Sequence, residues 1–207
     1  MLPAQLSPLL NSLSEPCRTL VVITVLTGLR IGELLALRWR HIDFISSAIH
    51  VRETVYEGRF GSPKTKSSRR DAPMSRPVRE AFLAQRSVLA GANAEALIFT
   101  CRNGTPLNPK NLLRRALQPG CRGLGLPVIG WHSFRHTLAT LLGEAGESLR
   151  TAQAILGHSD LKTTLNVYTH AIPESQKRAV DKVAGLVFPK VPKFAAGSEN
   201  EKVNQLK

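Results

Sequence analysis

Apolar positions along this chain follow two periods. From Glu15 to Thr27 they are nearly continuous, which predicts a buried helix, and Gly28 suits its C-terminal cap because glycine enters left-handed backbone freely. A second helix is expected over roughly Arg30–Arg38, with Ile31, Leu34, Leu35 and Leu37 as its buried side. Pro3 and Pro8 mark the stretch before these helices as a short leader. Between Asp43 and Pro73 the character changes: Ile45, Ile49, Val51, Thr54, Val55 and Tyr56 favour strands, and Gly58, Gly61 and Pro63 punctuate them as turns. A small antiparallel sheet of three strands is predicted, ending near Arg70–Pro73.

Helical spacing then returns. Ser75 suits the cap of a helix running to about Leu89, with Pro77 in its first turn. Leu97–Cys101 reads as extended, Asn103–Gly104 as a turn, and Asn108 as the cap of a helix to about Gln118. Gly120–Gly130 reads as a glycine-rich loop. Ser133 is expected to cap a helix carrying Phe134, Leu138, Leu141 and Leu142 on one face. Ser148 opens another that Gly157 stops, Ser159 a third ending near Tyr168, and Glu174–Val187 forms a last amphipathic segment. The expected fold is α+β, mainly α-helical, with one small antiparallel three-stranded sheet. Residues 1–187 form the expected domain, and 188–207 a polar, disordered tail.

The composition adds a partner to this outline. The formal net charge is +13, which favours polyanions, nucleic acid first. Between Arg59 and Arg79 there are seven Lys or Arg and a single acid, Asp71. Between Ala96 and Gly143 there is no acid, while Arg102, Lys110, Arg114, Arg115, Arg122 and Arg135 lie there. Folding could bring the two stretches into one phosphate-tracking surface. Cys17, Cys101 and Cys121 lack metal-like spacing, and no signal peptide is visible, so reduced thiols in a cytoplasmic protein are expected. No apolar run reaches the roughly 18 residues of a membrane span, so no membrane association is expected.

Four segments carry candidate chemistry. In Thr27–Trp39 (TGLRIGELLALRW), Arg30 follows a helix break, and Glu33 one turn on can hold its guanidinium. In Ser62–Pro73 (SPKTKSSRRDAP), a lysine at a turn between strands can reach a ligand. In His132–Thr140 (HSFRHTLAT), a histidine and an arginine lie beside a helix start, where N–H groups and the macrodipole favour anions. His132 and His136 are four residues apart but lack the adjoining glutamate of a zinc-protease helix, so no metal is expected. In Ile155–His170 (ILGHSDLKTTLNVYTH), a turn after Gly157 can return Tyr168 toward His158.

Taken in order and spacing, these four segments resemble the tyrosine recombinases, or phage integrases, over roughly residues 5–180. The resemblance implies roles residue by residue. Arg30 and Arg135 match the two catalytic arginines, His132 the histidine of the H-x-x-R pair, His158 the later His or Trp position, and Tyr168 the nucleophile. Lys64 matches the catalytic lysine, with Lys66 as a competitor. Ser133 stands where the family usually has Asp or Gly. Lys66, Arg69, Arg70, Lys110, Arg114 and Arg115 are expected to contact DNA. The implied reaction cleaves and rejoins double-stranded DNA through a 3′-phosphotyrosine, without cofactor, in a tetramer on DNA. Glu174–Val187 would dock onto a neighbour or pack in cis.

The family usually carries an N-terminal helical domain that clamps DNA. It is expected to be absent here, with weak DNA binding as the consequence. Two other readings stay open: a type IB topoisomerase, which uses a similar catalytic set without strand exchange, and a DNA-binding relative that regulates a full-length recombinase. A basic nucleic-acid-binding protein without catalysis would require the motifs to be accidental.

Overall fold

The computed structural model describes residues 3–63, 68–88, 91 and 93–157. The chain divides into two compact units, Met1–Ala171 and Ile172–Lys207, and every described residue lies in the first. Lys64, Lys66, His158, Tyr168, the helix expected after Ser159, the Glu174–Val187 segment and the tail lie outside the described residues.

The fold is α+β with helix predominating. Helices α1 (Pro3–Ser12), α2 (Cys17–Thr27) and the short α3 (Ile31–Leu35) come first. The expected leader is thus helical. Its prolines do not prevent this, because Leu9 is fully buried and Leu13 nearly so, and packing overrides the local penalty. Helix α2 is the centre of the core, burying Leu20, Val21, Ile23 and Val25, and it packs against α1, α4 (Arg76–Val88) and α7 (Trp131–Glu144). It ends at Gly28, whose φ of 65° is left-handed and whose N–H donates to the Thr24 carbonyl. A Cβ there would lie 2.8 Å from Leu156 Cδ2 and 3.0 Å from Leu138 Cδ2. Gly28 is therefore required both by conformation and by close packing.

The strands form two sheets rather than one. β1 (Ile42–Asp43), β2 (Ala48–Val51) and β5 (Arg70–Pro73) make a three-stranded antiparallel sheet with β2 central. β3 (Thr54–Tyr56) and β4 (Arg59–Gly61) pair separately. Their two-residue turn, Glu57–Gly58, has φ of 49° and 78°, the two positive values that a tight hairpin turn needs. In the larger sheet Ile49 faces Ala72, and Val51 faces Arg70. Ile49, Val51 and Ala72 are buried, so the two-residue period places Arg70 on the inward face and Asp71 on the outward one.

Helix α4 (Arg76–Val88) buries Val78 and Phe82. α5 (Pro109–Leu112), a π turn (Leu113–Leu117) and α6 (Gln118–Gly123) run on as one stretch, so the start of the expected glycine-rich loop is helical. The Asn108 side chain accepts from the Lys110 and Asn111 N–H groups, as the sequence predicts. α7 (Trp131–Glu144) begins earlier than expected, with Gly130 rather than Ser133 as its N-cap. Trp131 explains the shift: it is buried and its Nε1 donates to the Pro109 carbonyl at 3.0 Å, which fixes the first turn. α8 (Leu149–Leu156) opens at Ser148, whose hydroxyl accepts from Thr151 N–H, and closes at left-handed Gly157. Among the described residues, no helix is long and apolar enough to cross a membrane.

Candidate active site

The site is built where three element ends meet: the end of α2 with the start of α3, the start of β5, and the end of α8. Arg30 is the N-cap of α3. Its backbone N–H donates to Glu33 Oε2 at 3.0 Å, and its Nη1 donates to Glu33 Oε1 at 2.8 Å. The expected Arg30–Glu33 pair is therefore present, but it is not a surface pair. The Glu33 side chain is 2% exposed, whereas Arg30 keeps 41% of its side chain in solvent. One carboxylate thus caps the helix start and aims a half-exposed guanidinium outward.

Arg70 corrects an expectation. Expected on the DNA-facing surface, it is inward by strand alternation and its side chain is 8% exposed. Nη1 and Nη2 both donate to Glu33 Oε2 at 3.3 Å, Nε donates to the Ile155 carbonyl at 3.1 Å, and Nη1 also reaches the Ser68 carbonyl. Burial pulls its pKa down, the Glu33 carboxylate pulls it up, and nearby Arg30 lowers it again. The signal was present in sequence: Arg70 and Ala72 share one face of a strand.

Arg135, in the second turn of α7, is 2% exposed. Its Nη1 donates to the Gly28 carbonyl and its Nη2 to the Leu156 carbonyl. Both acceptors lie at helix C-termini, where carbonyls lack partners and the dipole is negative, so one cation serves two helix ends. The third nitrogen, Nε, is buried with no partner among the described residues. Burial, then repulsion from Arg30 and Arg70, pushes the pKa of Arg135 down to about 9, still above neutrality. Arg30 and Arg70 thus share one carboxylate, Glu33, Arg135 adds a third guanidinium near them, and the cluster carries excess positive charge.

His132 lies in the first turn of α7, not before it. Its ring is exposed and meets that of His136 edge to face, with centroids 4.4 Å apart. Partial desolvation, then His136, Arg135 and Arg30, hold its pKa below the ordinary histidine value. His132 is therefore neutral near pH 7 and able to accept a proton.

Arg30 and Glu33 also line a cleft of about 1140 Å³ that passes Tyr56, Glu57 and Ser68 to reach Lys110. Lys110 pairs with Glu57 at 3.0 Å and stays 72% exposed. Arg69, Arg114 and Arg115 are exposed. Not every cation of the two basic stretches is free for a partner: Arg76 pairs with Glu80, and Arg79 donates to the Phe44 carbonyl. The three cysteines are free thiols, Cys17 and Cys121 buried and Cys101 exposed.

Known proteins resemble this chain in sequence and fold. The model of the "Phage integrase family" matches residues 2–175. The chain is 32% identical over 188 residues to a tyrosine recombinase XerC-like protein of Caldanaerobacter subterraneus, covering 79% of this chain and 48% of that one. It is 33% identical over 181 residues to the ICEBs1 integrase of Bacillus subtilis, covering 82% of this chain and 49% of that one. The chain thus spans about half the length of these relatives. Among solved structures, the integrase of transposon Tn1549, in complex with circular intermediate DNA, superposes with a TM-score of 0.76 at 29% identity, over 89% of this chain and 66% of that one. The catalytic domain of bacteriophage HP1 integrase shares the fold, with a TM-score of 0.57 at 20% identity, over 91% of this chain and 96% of that one. With its four motif segments in order and the family model matched over residues 2–175, the chain belongs to the phage integrase family.

Proposed function

We propose that the chain is the catalytic part of a site-specific recombinase that cuts and rejoins double-stranded DNA through Tyr168. The observation that carries this reading is the pair of guanidiniums Arg30 and Arg135 near one buried carboxylate, Glu33, which Arg70 holds in place, with neutral His132 alongside. Such a cluster attracts an anion that brings more than one negative charge. A phosphodiester gains that charge as its phosphorus becomes five-coordinate, and guanidinium groups stabilise it by charge-assisted bonds. Losing one such donor typically costs 10²–10³ in rate.

In the proposed step the Tyr168 Oη attacks phosphorus and the bond to the 5′ oxygen breaks. A phenol with a pKa of about 10 is a poor nucleophile until its proton is removed. His132, or a water beside it, accepts that proton. Lys64 or Lys66 protonates the leaving 5′ oxygen, and His158 donates to a non-bridging oxygen. The 3′-phosphotyrosine conserves the bond, so attack by another 5′ hydroxyl rejoins the strand without a cofactor. Exposed Arg69, Lys110, Arg114 and Arg115 would hold the flanking phosphates. Pairwise exchange in a tetramer on DNA, and a cytoplasmic setting, complete the reading. The Tn1549 integrase, captured with circular intermediate DNA, supports DNA as the substrate.

The test is a denaturing gel of the chain incubated with nicked duplexes drawn from the DNA flanking its own gene. A covalent adduct is expected that disappears in Tyr168→Phe. An adduct that survives in Tyr168→Phe would remove Tyr168 as the nucleophile. Relaxation of supercoiled DNA carrying no such site would favour the topoisomerase reading instead.

A further inference from the structure

We infer that Arg70 is a positioning residue for the cleavage step, not a DNA contact. This role rests on the recombinase reading above. Four observations carry it. The side chain is 8% exposed, so it presents almost no surface to a phosphate. All three of its nitrogens are engaged by the protein, two on Glu33 Oε2 and one on the Ile155 carbonyl. The carboxylate it holds is the one that orients Arg30, through both the Arg30 backbone N–H and Nη1. Finally, Arg70 packs so tightly against the turn ending α8 that a Cβ on Gly157 would lie 2.8 Å from its Cδ and 3.0 Å from its Nε.

A single guanidinium therefore fixes two parts of the site at once. Through Glu33 it sets the direction of Arg30 at the start of α3. Through Ile155 it sets the end of α8, two residues before Gly157, after which the chain continues to His158. The planar fork of arginine suits this task because its donors diverge at fixed angles, one edge to the carboxylate and Nε to the carbonyl. A lysine carries the charge but is a point donor, and it cannot span both acceptors in one geometry. Misplacing a reacting group by about 1 Å can cost roughly 10² in rate while leaving binding intact. Buried position and catalytic consequence are thus compatible.

The experiment uses the full chain and the nicked duplex above, with wild type, Arg70→Lys and Arg70→Met. Three quantities are measured: the rate of adduct formation at saturating protein, the DNA affinity as a function of salt, and the thermal midpoint. The expected result is a cleavage rate roughly 10²-fold lower in Arg70→Met, with a smaller loss in Arg70→Lys. DNA affinity and its salt slope should stay at the wild-type values. A purely structural residue would lower the midpoint and leave the saturated rate of the folded protein unchanged, which would overturn the proposal. A phosphate contact would instead lower the slope of log affinity against log salt by about 0.9, which would also overturn it. If Arg70→Met does not fold, Arg70→Lys decides between the same outcomes. A wild-type chain without a Tyr168-dependent adduct rejects the recombinase reading, and this role falls with it. A wild-type adduct with an unaffected Arg70→Lys rate rejects this role alone.

Discussion

Among the described residues, arginines share a glutamate in two clusters, and these differ in burial. In the first, Glu33 is 2% exposed and is shared by Arg30 and Arg70. In the second, Arg38 and Arg40 share Glu53, and Arg40 also pairs with Glu95, with side chains from 24% to 61% exposed. The distances do not separate them: 2.8 Å for Arg30–Glu33 against 2.7 Å for Arg40–Glu95. Geometry alone would rank the two clusters as equals. Solvent ranks them otherwise, because water and salt compete with an exposed pair, whereas a buried carboxylate depends wholly on its partners.

Glu33→Gln should have the largest effect. It leaves buried Arg70 without a counter-charge and releases Arg30 from its aimed position. Breaking a buried pair from one side costs about 3–5 kcal/mol, so the denaturant midpoint should fall sharply. A variant as stable as wild type would show that water reaches the cluster, and the contrast between the two regions would collapse.

The sequence made the first cluster half visible. Arg30 and Glu33 are one helical turn apart, which is enough to pair them, but spacing does not report burial. The basic run around Arg70 points it to the surface. The competing fact, its two-residue phase with Ala72, is decisive only once the strand and its inward face are known. Local chemistry was otherwise a good guide where one residue type has one strong role. Gly28 and Gly157 end helices in left-handed backbone, and the side chains of Ser148 and Asn108 cap helix starts. It failed where tertiary contacts decide. Leu9 and Leu13 hold a proline-bearing leader in a helix, and buried Trp131 moves the start of α7 ahead of Ser133. It also failed to separate one sheet from two, since β3 and β4 read as members of the same alternating region as β2.

A change of pH should act next, through His41 at the inner edge of the second cluster. His41 is 4% exposed, and both ring nitrogens face donors, Nδ1 the Arg38 backbone N–H at 3.2 Å and Nε2 the Arg40 Nε at 3.3 Å, which disfavours the doubly protonated ring. Desolvation lowers its pKa, Glu53 raises it, and Arg40, Arg38 and Arg52 lower it. The folded value therefore lies below the unfolded one, near 6.5. Stability from this group is complete above about 6.5 and is lost as pH falls below it, because the unfolded chain takes up the proton first. His132 and His136 are shifted in the same direction and add to the effect. Thermal midpoints should drop between pH 7.5 and 5.5, and His41→Gln should flatten that drop. An equal drop in the variant would assign the effect to the other two histidines.

Arg40→Gln should have the smallest effect and sharpens the comparison most directly. The variant removes the contacts to Glu53 and Glu95 at once, yet both carboxylates can return to water. Arg38 remains on Glu53 at 3.3 Å. No resolvable change in thermal midpoint is expected at physiological salt, and any small loss seen at low salt should vanish as salt is added. A large loss that salt does not remove would mean that the second cluster is held as tightly as the first. Its exposure would then be no guide to its worth, and the difference between the two regions would have to come from the arginine fork itself and not from burial.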